Sequence, residues 1–404
     1  MNDLIVRDAA VFLHQSGSTP VENTFAAVEG VWAEDSDGHR FMDFQGNTCH
    51  NIGYAHPRLI AALKAQLDSL PFTPRLFTNR PAVELAERLA DLWPYGRARV
   101  LFGLSGADAI EMAMKLAFIA TGRKRTVAFE DSWHGAALGA LWAGGRESER
   151  VGFPVFEGCI HVAPYWRMET GDTPATAAQR SLVEITKVLA AGDVACVLAE
   201  PIRSTPHVPP AWFWPQVRQR CDDTGTLLVF DEVPTGLGKT GRLFASQHFD
   251  VAPDITVLGK SLGGGVLPLS ALIARADLNG AAPWAIGHYT HQKNPMLARA
   301  GQVTLDVLLE EDLPVAADRK GADFLNRLAD LAERSPTYRS AHGIGLLMAL
   351  EVAPPANMEM LKKTIFDKGL HVGSAENRFL CLSPPLTIDD DEITLAIDIL
   401  ADVS

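Results

Sequence analysis

Short apolar runs alternate with amphipathic helical patterns through the middle of the chain. The runs are continuous, which is typical of strands buried on both faces of a parallel sheet. Between two of them, apolar residues from Ala109 to Ala120 follow a helical period within 106–120, and segments 174–191 and 213–224 show the same period. The pattern predicts an α/β fold with a doubly wound, mostly parallel sheet flanked by helices. The strand candidates are 99–104, 126–129, 195–199, 226–230, 255–258 and 269–274.

The two ends of the chain have a different pattern. Near the N-terminus, the apolar segments 31–33 and 41–44 flank Asp37 and Gly38, as in a hairpin. Towards the C-terminus, helical and strand-like segments are expected at 316–334, 345–352, 357–368, 378–382 and from 387 onwards. We therefore expect a smaller α+β domain built from both termini. The expected division is an N-terminal segment (1–50) that packs with the small domain, a large domain (51–299) and a C-terminal small domain (300–404).

Composition excludes several classes of protein. The 404 residues, 47% hydrophobic and 21% charged, are enough for two globular domains. A net charge of −13 argues against nucleic acid as the main partner. Five scattered cysteines without paired spacing indicate a reducing compartment and no metal site of the zinc-ribbon type. The acidic start is unlike a signal peptide, and no run of ~18 apolar residues predicts a membrane span. We expect a cytoplasmic protein.

Lys260 is the first candidate for chemistry. It follows the apolar strand 255–258 and precedes three glycines, Gly263–Gly265, which leave room for a ligand. A lysine that is removed from water has a lowered pKa and becomes a nucleophilic amine able to form Schiff bases. The alternative is a lysine that reaches solvent beside a flexible loop.

Asp231 ends the apolar strand 226–230, one strand–connection–strand unit before Lys260. Ligands of open α/β sheets bind at the carboxyl ends of strands, so both side chains can project into one crevice. Pyridoxal phosphate requires this pair, because an amine forms the Schiff base and an acid keeps the ring nitrogen protonated. A helix cap or a plain ion pair with Lys260 is the alternative for Asp231.

Ser105, Gly106 and Ala107 end a strand and begin the helix predicted at 106–120. Unpaired N–H groups and the helix dipole make such a position an anion site that suits the phosphate of the same cofactor, although many such residues are plain caps. Trp133, followed by His134, comes after the next strand. Its indole either lies on the cofactor ring or belongs to an ordinary core.

Gly236–Gly241 matches the dinucleotide fingerprint G-x-G-x-x-G directly after a strand. A dinucleotide site also needs a helix that begins in the motif and an acidic strand end about 20 residues later. Neither is present, and Val233 stands where a P-loop needs its first glycine. We therefore expect neither a dinucleotide site nor a nucleoside-triphosphate site here.

Seven motifs occur in a fixed order along the chain. They are Ser105-Gly106-Ala107-Asp108, Trp133-His134-Gly135, Glu200-Pro201-Ile202, Asp231-Glu232-Val233-Pro234-Thr235-Gly236, Lys260-Ser261-Leu262-Gly263-Gly264-Gly265, Thr290 with Asn294-Pro295, and Ser383-Pro384-Pro385-Leu386. Together they resemble the class III (ω-type) aminotransferases, which are pyridoxal-phosphate enzymes of fold type I. The resemblance runs from about Gly30 to the end of the chain.

The resemblance implies a role for each motif. Lys260 would be the Schiff-base lysine and would carry the proton between substrate and cofactor, and Asp231 would pair with the ring nitrogen. Val233 and Trp133 would cover the two ring faces. The other cofactor-binding residues would be Ser105, Gly106, Ala107, His134 and Glu200. Thr290 would reach the phosphate of a neighbouring subunit, which implies a homodimer with shared active sites.

Departures from the family concern the substrate side. Cys381 stands where many members that bind α-amino acids carry an arginine, and Arg378 lies three residues too early to replace it. Arg203 and Arg75 are further candidates for binding an anionic group of the substrate, and surface ion pairs explain them equally well. Lys239 stands where the family usually has an arginine.

The resemblance implies an aminotransferase that moves an amino group from a primary amine or ω-amino acid to a keto acid or aldehyde. The alternative is a lyase that releases ammonia or phosphate from a small amino-phosphonate or hydroxylated amine, because 46–57 and 70–75 are similar to a branch acting on such compounds. A racemase is a weaker alternative. A DNA-binding regulator would need a basic appendage, which the acidic N-terminus does not provide.

Overall fold

Helices and strands alternate through the centre of the chain, as the apolar pattern predicts. The computed structural model describes residues 2–404. Its helices are α1 (Asp3–Val11), α2 (Pro57–Ser69), α3 (Arg80–Leu92), α4 (Gly106–Thr121), α5 (Leu138–Ala143), α6 (Pro174–Leu189), α7 (Phe213–Thr224), α8 (Pro295–Glu310), α9 (Leu313–Arg334), α10 (Met358–Asp367) and α11 (Asp390–Asp402).

Three sheets contain the strands of this part of the chain. The strands are β1 (Ala27–Glu29), β2 (Trp32–Glu34), β3 (Arg40–Asp43), β4 (Ala98–Gly103), β5 (Arg125–Phe129), β6 (Cys159–Val162), β7 (Val194–Ala199), β8 (Leu227–Asp231), β9 (Ile255–Leu258), β10 (Ser270–Arg275), β11 (Tyr338–Ile344), β12 (Leu347–Val352), β13 (Leu370–His371), β14 (Gly373–Ala375) and β15 (Phe379–Leu382).

The largest sheet has seven strands in the order β4-β10-β9-β8-β7-β5-β6. Its strands β9, β8, β7, β5 and β6 pair in parallel. The parallel direction predicted for 269–274 is wrong, because β10 runs antiparallel to both β4 and β9. An antiparallel strand covered on both faces has the same continuous apolar run as a parallel one. Strand β6 was not predicted, because it lies at an edge and is only partly buried.

Helices cover both faces of this sheet. Strands β7 and β8 are fully buried between two hydrophobic clusters, one containing residues of α4 and the other residues of α6 and α7. Strand β9 is also fully buried and contributes Ile255 and Val257 to the α4 cluster. Strands β8 and β9 are neighbours, and Asp231 is paired in register with Val257. The carboxyl ends of both strands therefore open at the same edge of the sheet, and Lys260 follows two residues after β9.

Both chain termini contribute to the two smaller sheets. One has the order β1-β2-β3-β13 and the other β11-β12-β15-β14. Strand β3, near the N-terminus, pairs in parallel with β13, so the N-terminal hairpin joins the C-terminal part of the chain. This pairing agrees with the expected small domain, while the division at 50 and 299 stays a prediction. Among residues 2–404, no helix is long and apolar enough to cross a membrane.

Candidate active site

Lys260 lies in a crevice at the carboxyl edge of the large sheet. The crevice is lined by Cys49, Leu104, Ser105, Gly106, Lys260 and Gly265. The Lys260 side chain reaches solvent in this crevice, and the surrounding walls remove part of its contact with water. The φ of Lys260 is 44°, a left-handed conformation that is uncommon for a residue with a side chain and often marks a functional site.

The surroundings of Lys260 favour its neutral amine. Desolvation by the crevice walls lowers the pKa of the amine, and it outweighs the opposite effects of the Glu200, Cys49 and Asp231 charges. The residues that follow, Ser261 to Gly263, are buried in a 3-10 turn. The turn that follows Lys260 is therefore buried and is not a flexible loop, although the side chain does reach solvent as the alternative expected.

Asp231 is buried and held by two hydrogen bonds. His134 Nδ1 donates to Oδ2 at 2.7 Å, and the backbone N–H of Val233 donates to Oδ1 at 3.0 Å. Both donors hold the carboxylate in a defined orientation at the end of β8. Among residues 2–404 Asp231 neither caps a helix nor forms an ion pair with Lys260, so neither alternative for this residue applies.

The N-terminus of α4 lies beside the same crevice. The Ser105 hydroxyl accepts a hydrogen bond from the Asp108 N–H at 3.1 Å, and the Asp108 carboxylate accepts one from the Ser105 N–H at 3.0 Å. Within the described residues this capping box leaves the N–H groups of Gly106 and Ala107 without partners. Two free N–H groups at the start of a 16-residue helix suit a phosphate group.

Val233 explains why two of the local glycines are needed. A Cβ on Gly106 would lie 3.2 Å from the Val233 side chain, and a Cβ on Gly259 would lie 3.1 Å from it. Val233 therefore occupies space between the start of α4 and the end of β9. Its half-buried side chain faces the region between the free N–H groups and Asp231.

Trp133 is 38% exposed in the loop after β5. Its neighbour His134 is buried against Asp231, and Gly135 packs so closely on the start of α4 that a Cβ would lie 2.5 Å from the Cβ of Ala107. The loop is thus attached to both the acid and the anion site. An ordinary core position for Trp133 is excluded by its exposure.

Glu200 and Arg203 follow β7 and form a buried ion pair with side-chain exposures of 3% and 4%. Arg203 also donates to the backbone oxygen of Asp131 at 2.8 Å. The charge pair is close enough to Lys260 to influence its pKa. Arg203 is therefore neither a surface residue nor a free cation, because its guanidinium is already neutralised by Glu200.

The remaining candidates are three for the substrate and one, Thr290, for the cofactor phosphate. Arg378 is exposed and paired with Glu351 at 2.7 Å. Cys381 lies in β15, where burial raises the pKa of its thiol to about 12. Arg75 lies in the loop between α2 and α3, which contacts the segment 291–293 through a hydrogen bond and a ring contact. Thr290 is exposed in the segment before α8.

Two basic residues were missed as site candidates. Lys239 is fully buried, donates to the Pro384 backbone oxygen at 2.7 Å, and has a pKa lowered to about 7 by burial. Two sequence signals marked it: its place in the Gly236–Gly241 motif, after which no α-helix begins, and its position where the family usually has an arginine. Arg146 lies beside Trp133, with its guanidinium carbon 6.0 Å from the ring centre. No sequence motif marks Arg146.

Arg146 and Arg203 line a cleft of about 1080 Å³. The loop after β5 connects this cleft with the crevice, because Arg146 lies beside Trp133 and the adjacent His134 binds Asp231. The walls of the cleft come from the loops after β5 and β7 and from the sheet that contains β15. Its polar and aromatic lining residues include Arg146, Trp166, Arg203, His207, Glu376 and Arg378. No group of three or more metal-ligating side chains occurs within residues 2–404.

Comparisons with known proteins agree with this geometry. The family model described as Aminotransferase class-III matches residues 12–403. The chain is 34% identical to a (R)-1-hydroxy-2-aminoethylphosphonate ammonia-lyase of Vibrio splendidus, over 98% of this chain and 88% of the relative. It is also 34% identical to an acetylornithine aminotransferase of Methanopyrus kandleri, over 94% of this chain and 93% of the relative.

Solved structures match over nearly the whole chain. An (S)-enantioselective omega-transaminase from Thermomicrobium roseum has a TM-score of 0.91 and 28% identity, with 99% of this chain and 98% of that chain covered. An ornithine aminotransferase from Toxoplasma gondii has a TM-score of 0.90 and 27% identity, with 99% and 94% covered. These matches confirm the resemblance from the motifs. The chain belongs to the class III aminotransferases, pyridoxal-phosphate-dependent enzymes of fold type I.

Proposed function

We propose that this aminotransferase takes the amino group of a small primary amine that carries an acidic group, such as an ω-amino acid, and passes it to a keto acid or aldehyde. The observation that carries this donor class is the pairing of Arg203 with Glu200, together with Cys381 at the position of the usual substrate arginine. An α-carboxylate beside the reacting carbon would have no free arginine at either place.

Pyridoxal phosphate fits the residues at the crevice. Gly106 and Ala107 would bind its phosphate through their free N–H groups, and Asp231 would bind its ring nitrogen. When bound, the cofactor supplies an electron-withdrawing ring that stabilises negative charge on the substrate carbon next to the amine. Trp133 and Val233 would cover the two faces of the ring.

Lys260 and His134 would have distinct tasks in the transfer. The neutral amine of Lys260 would hold the cofactor and then move a proton to and from the substrate carbon. His134 would keep the Asp231 carboxylate oriented through its 2.7 Å hydrogen bond, so that the ring nitrogen stays protonated. Trp133 would restrict the entry of water from the cleft.

The active unit would be a homodimer with shared sites. Thr290 is exposed, and no hydrogen bond to its side chain occurs within residues 2–404. Its exposure is compatible with the role that the family resemblance implies, a contact with the cofactor phosphate of the other subunit. A mixture of Lys260→Ala and Thr290→Ala subunits would recover activity that neither variant has alone if the sites are shared.

A donor–acceptor screen tests the proposed transfer. Aminophosphonates, ω-amino acids and simple amines would each be combined with keto acids and aldehydes, with both the deaminated donor and the aminated acceptor measured. We expect equal amounts of both products and no reaction with Lys260→Ala. Release of ammonia without an acceptor, and no aminated product with any pair, would contradict amino transfer.

A second candidate is an ammonia-lyase acting on a hydroxylated aminophosphonate. It is supported by the relative named (R)-1-hydroxy-2-aminoethylphosphonate ammonia-lyase, which matches 98% of this chain at 34% identity. The same amine and acid pair would serve this reaction, because loss of a hydroxyl group next to the substrate carbanion precedes release of ammonia. Free ammonia from 1-hydroxy-2-aminoethylphosphonate in the absence of any acceptor would favour this candidate.

A further inference from the structure

Arg146 is a half-buried arginine without a partner for its charge. Within residues 2–404 its side chain forms no ion pair and no hydrogen bond. Its guanidinium faces the cleft beside Trp133. Asp131 lies near enough to influence the pKa of Arg146, but its carboxylate is paired with Arg167 at 2.5 Å.

The other cations of the cleft are already neutralised. Arg203 is paired with Glu200 in a buried contact, and Arg378 with Glu351 at 2.7 Å. His207 Nε2 lies 3.1 Å from Glu376. Arg167 also lines this cleft and is paired with Asp131, so Arg146 is the arginine among the described lining residues that has no carboxylate partner. A guanidinium has five N–H donors and keeps its charge in proteins.

The backbone holds Arg146 firmly in place. The N–H of Gly145 donates to the backbone oxygen of Ser132 at 3.1 Å and lies 3.2 Å from the Ser132 hydroxyl. A Cβ on Gly145 would lie only 2.1 Å from the Phe129 backbone oxygen, so only glycine fits there. The backbone before Arg146 is therefore attached to the loop that carries Trp133, and the guanidinium carbon lies 6.0 Å from the centre of the indole ring.

The electrostatic surroundings agree with an anion site. Burial lowers the pKa of Arg146, and the like charge of Arg203 lowers it further. The charges of Glu200, Glu149 and Asp131 oppose this shift. A charge that is partly removed from water and faces a like charge gains free energy when an anion joins it. The cleft therefore contains a positively charged guanidinium beside Trp133 that has no negatively charged partner within the described residues.

We propose that Arg146 is the specificity-determining residue that binds the acidic group of the donor, a phosphonate or carboxylate, while the amino group of the same molecule lies at Lys260. The proposal rests on the proposed donor class of small acidic primary amines. It assigns the anion subsite to the loop after β5, and neither to Arg203 nor to the β15 position occupied by Cys381.

The test compares Arg146→Gln and Arg146→Lys with the wild-type holoenzyme. Donors would be 2-aminoethylphosphonate and β-alanine as acidic amines and propylamine as an uncharged one. For Arg146→Gln we expect KM for the acidic donors to rise by roughly 10- to 100-fold, the effect of losing a charge-assisted hydrogen bond. Values for propylamine should change by less than about twofold, and Arg146→Lys should recover part of the loss.

Control measurements distinguish a failure of the Arg146 subsite from a failure of the proposed donor class. Arg334→Gln removes an exposed arginine that is paired with Asp330 on α9, and it should leave all three donors unchanged. The cofactor content of each variant would be measured by absorbance. A loss of folding would lower this content and would reduce the activity with all three donors alike. An unchanged ratio of acidic to uncharged donor activity in Arg146→Gln would overturn the subsite. Wild-type enzyme that transfers no amino group from any acidic amine would instead overturn the proposed donor class.

The two acidic donors distinguish the forms of the anion. A similar rise in KM for 2-aminoethylphosphonate and β-alanine would support a general site for acidic groups. A larger rise for the phosphonate would support a site that uses several guanidinium donors on three oxygens. A loss confined to kcat, equal for acidic and uncharged donors, would contradict binding by Arg146 and indicate damage to the site.

Discussion

The two sides of the active site are built in different ways. The cofactor edge consists of Lys260, Asp231, His134 and the start of α4, and its polar groups come from strand ends or from residues next to them. The proposed substrate edge consists of Arg146, Arg203 and Arg378, which line the cleft, and Cys381 in a strand of a separate sheet. Topology alone places the first set. In the second set, ion pairs with Glu200 and Glu351 neutralise Arg203 and Arg378 and leave Arg146 without a partner.

The largest effect should follow from removing the amine at the cofactor edge. Lys260→Ala should lower kcat/KM by roughly 10⁴-fold, because it removes both the Schiff-base nitrogen and the proton carrier. Steady-state kinetics with the best donor from the screen would measure the loss. Lys64→Ala, on the exposed face of α2, is the matched control and should retain full activity. Retention of activity in Lys260→Ala would remove the basis for the cofactor edge.

At the substrate edge, the largest effect should be on stability. Glu200→Gln leaves the Arg203 charge buried without its partner, so the free energy of unfolding should fall by about 3–5 kcal/mol. Denaturant titration would measure it. The control is Glu376→Gln, whose carboxylate is 45% exposed beside His207, and whose loss should cost under about 1 kcal/mol. Equal losses of unfolding free energy in the two variants would show that burial does not determine how much each ion pair contributes to stability.

A smaller effect is expected where the Trp133 loop meets Asp231. His134→Phe removes a donor to a buried carboxylate, and kcat should fall by roughly tenfold or more. A structural role alone would not alter the cofactor, so the pH dependence of cofactor absorbance is the informative measurement. His134→Gln keeps a donor and should restore part of kcat. If His134→Phe loses only thermal stability, with unchanged kcat and absorbance, His134 does not position Asp231.

The smallest effect concerns Lys239, whose pKa is lowered by burial from 10.5 to about 7. The unfolded chain holds this proton up to higher pH than the folded protein does. The contribution of Lys239 to stability is therefore full above pH 10.5 and is lost as pH falls towards 7. The difference in unfolding free energy between wild type and Lys239→Met should rise with pH across this window. A pH-independent difference would contradict a neutral buried lysine.

The two edges also differ in how much of each could be predicted from the sequence. Continuous apolar runs predicted the strands that end at Asp231 and before Lys260, because a strand buried on both faces has an uninterrupted apolar sequence. The direction of β10 could not be predicted, because burial is the same for both directions. The position of Arg146 beside Trp133 depends on which parts of the chain meet in space, and no local motif records it. Glu200 and Arg203 are only three residues apart, but the burial of their ion pair depends on the surrounding fold.

The pairing of β3 with β13 has a consequence for synthesis of the chain. Met42 N–H donates to Gly369 O, and Phe44 N–H to His371 O, both at 2.9 Å. A ribosome delivers the N-terminal strand first and its partner more than 300 residues later, at ~5–20 residues per second. The hairpin must therefore wait, with one edge unpaired, until nearly the entire polypeptide has emerged. Cys49, which follows this hairpin and lines the Lys260 crevice, would be among the last parts of the enzyme to reach their final places.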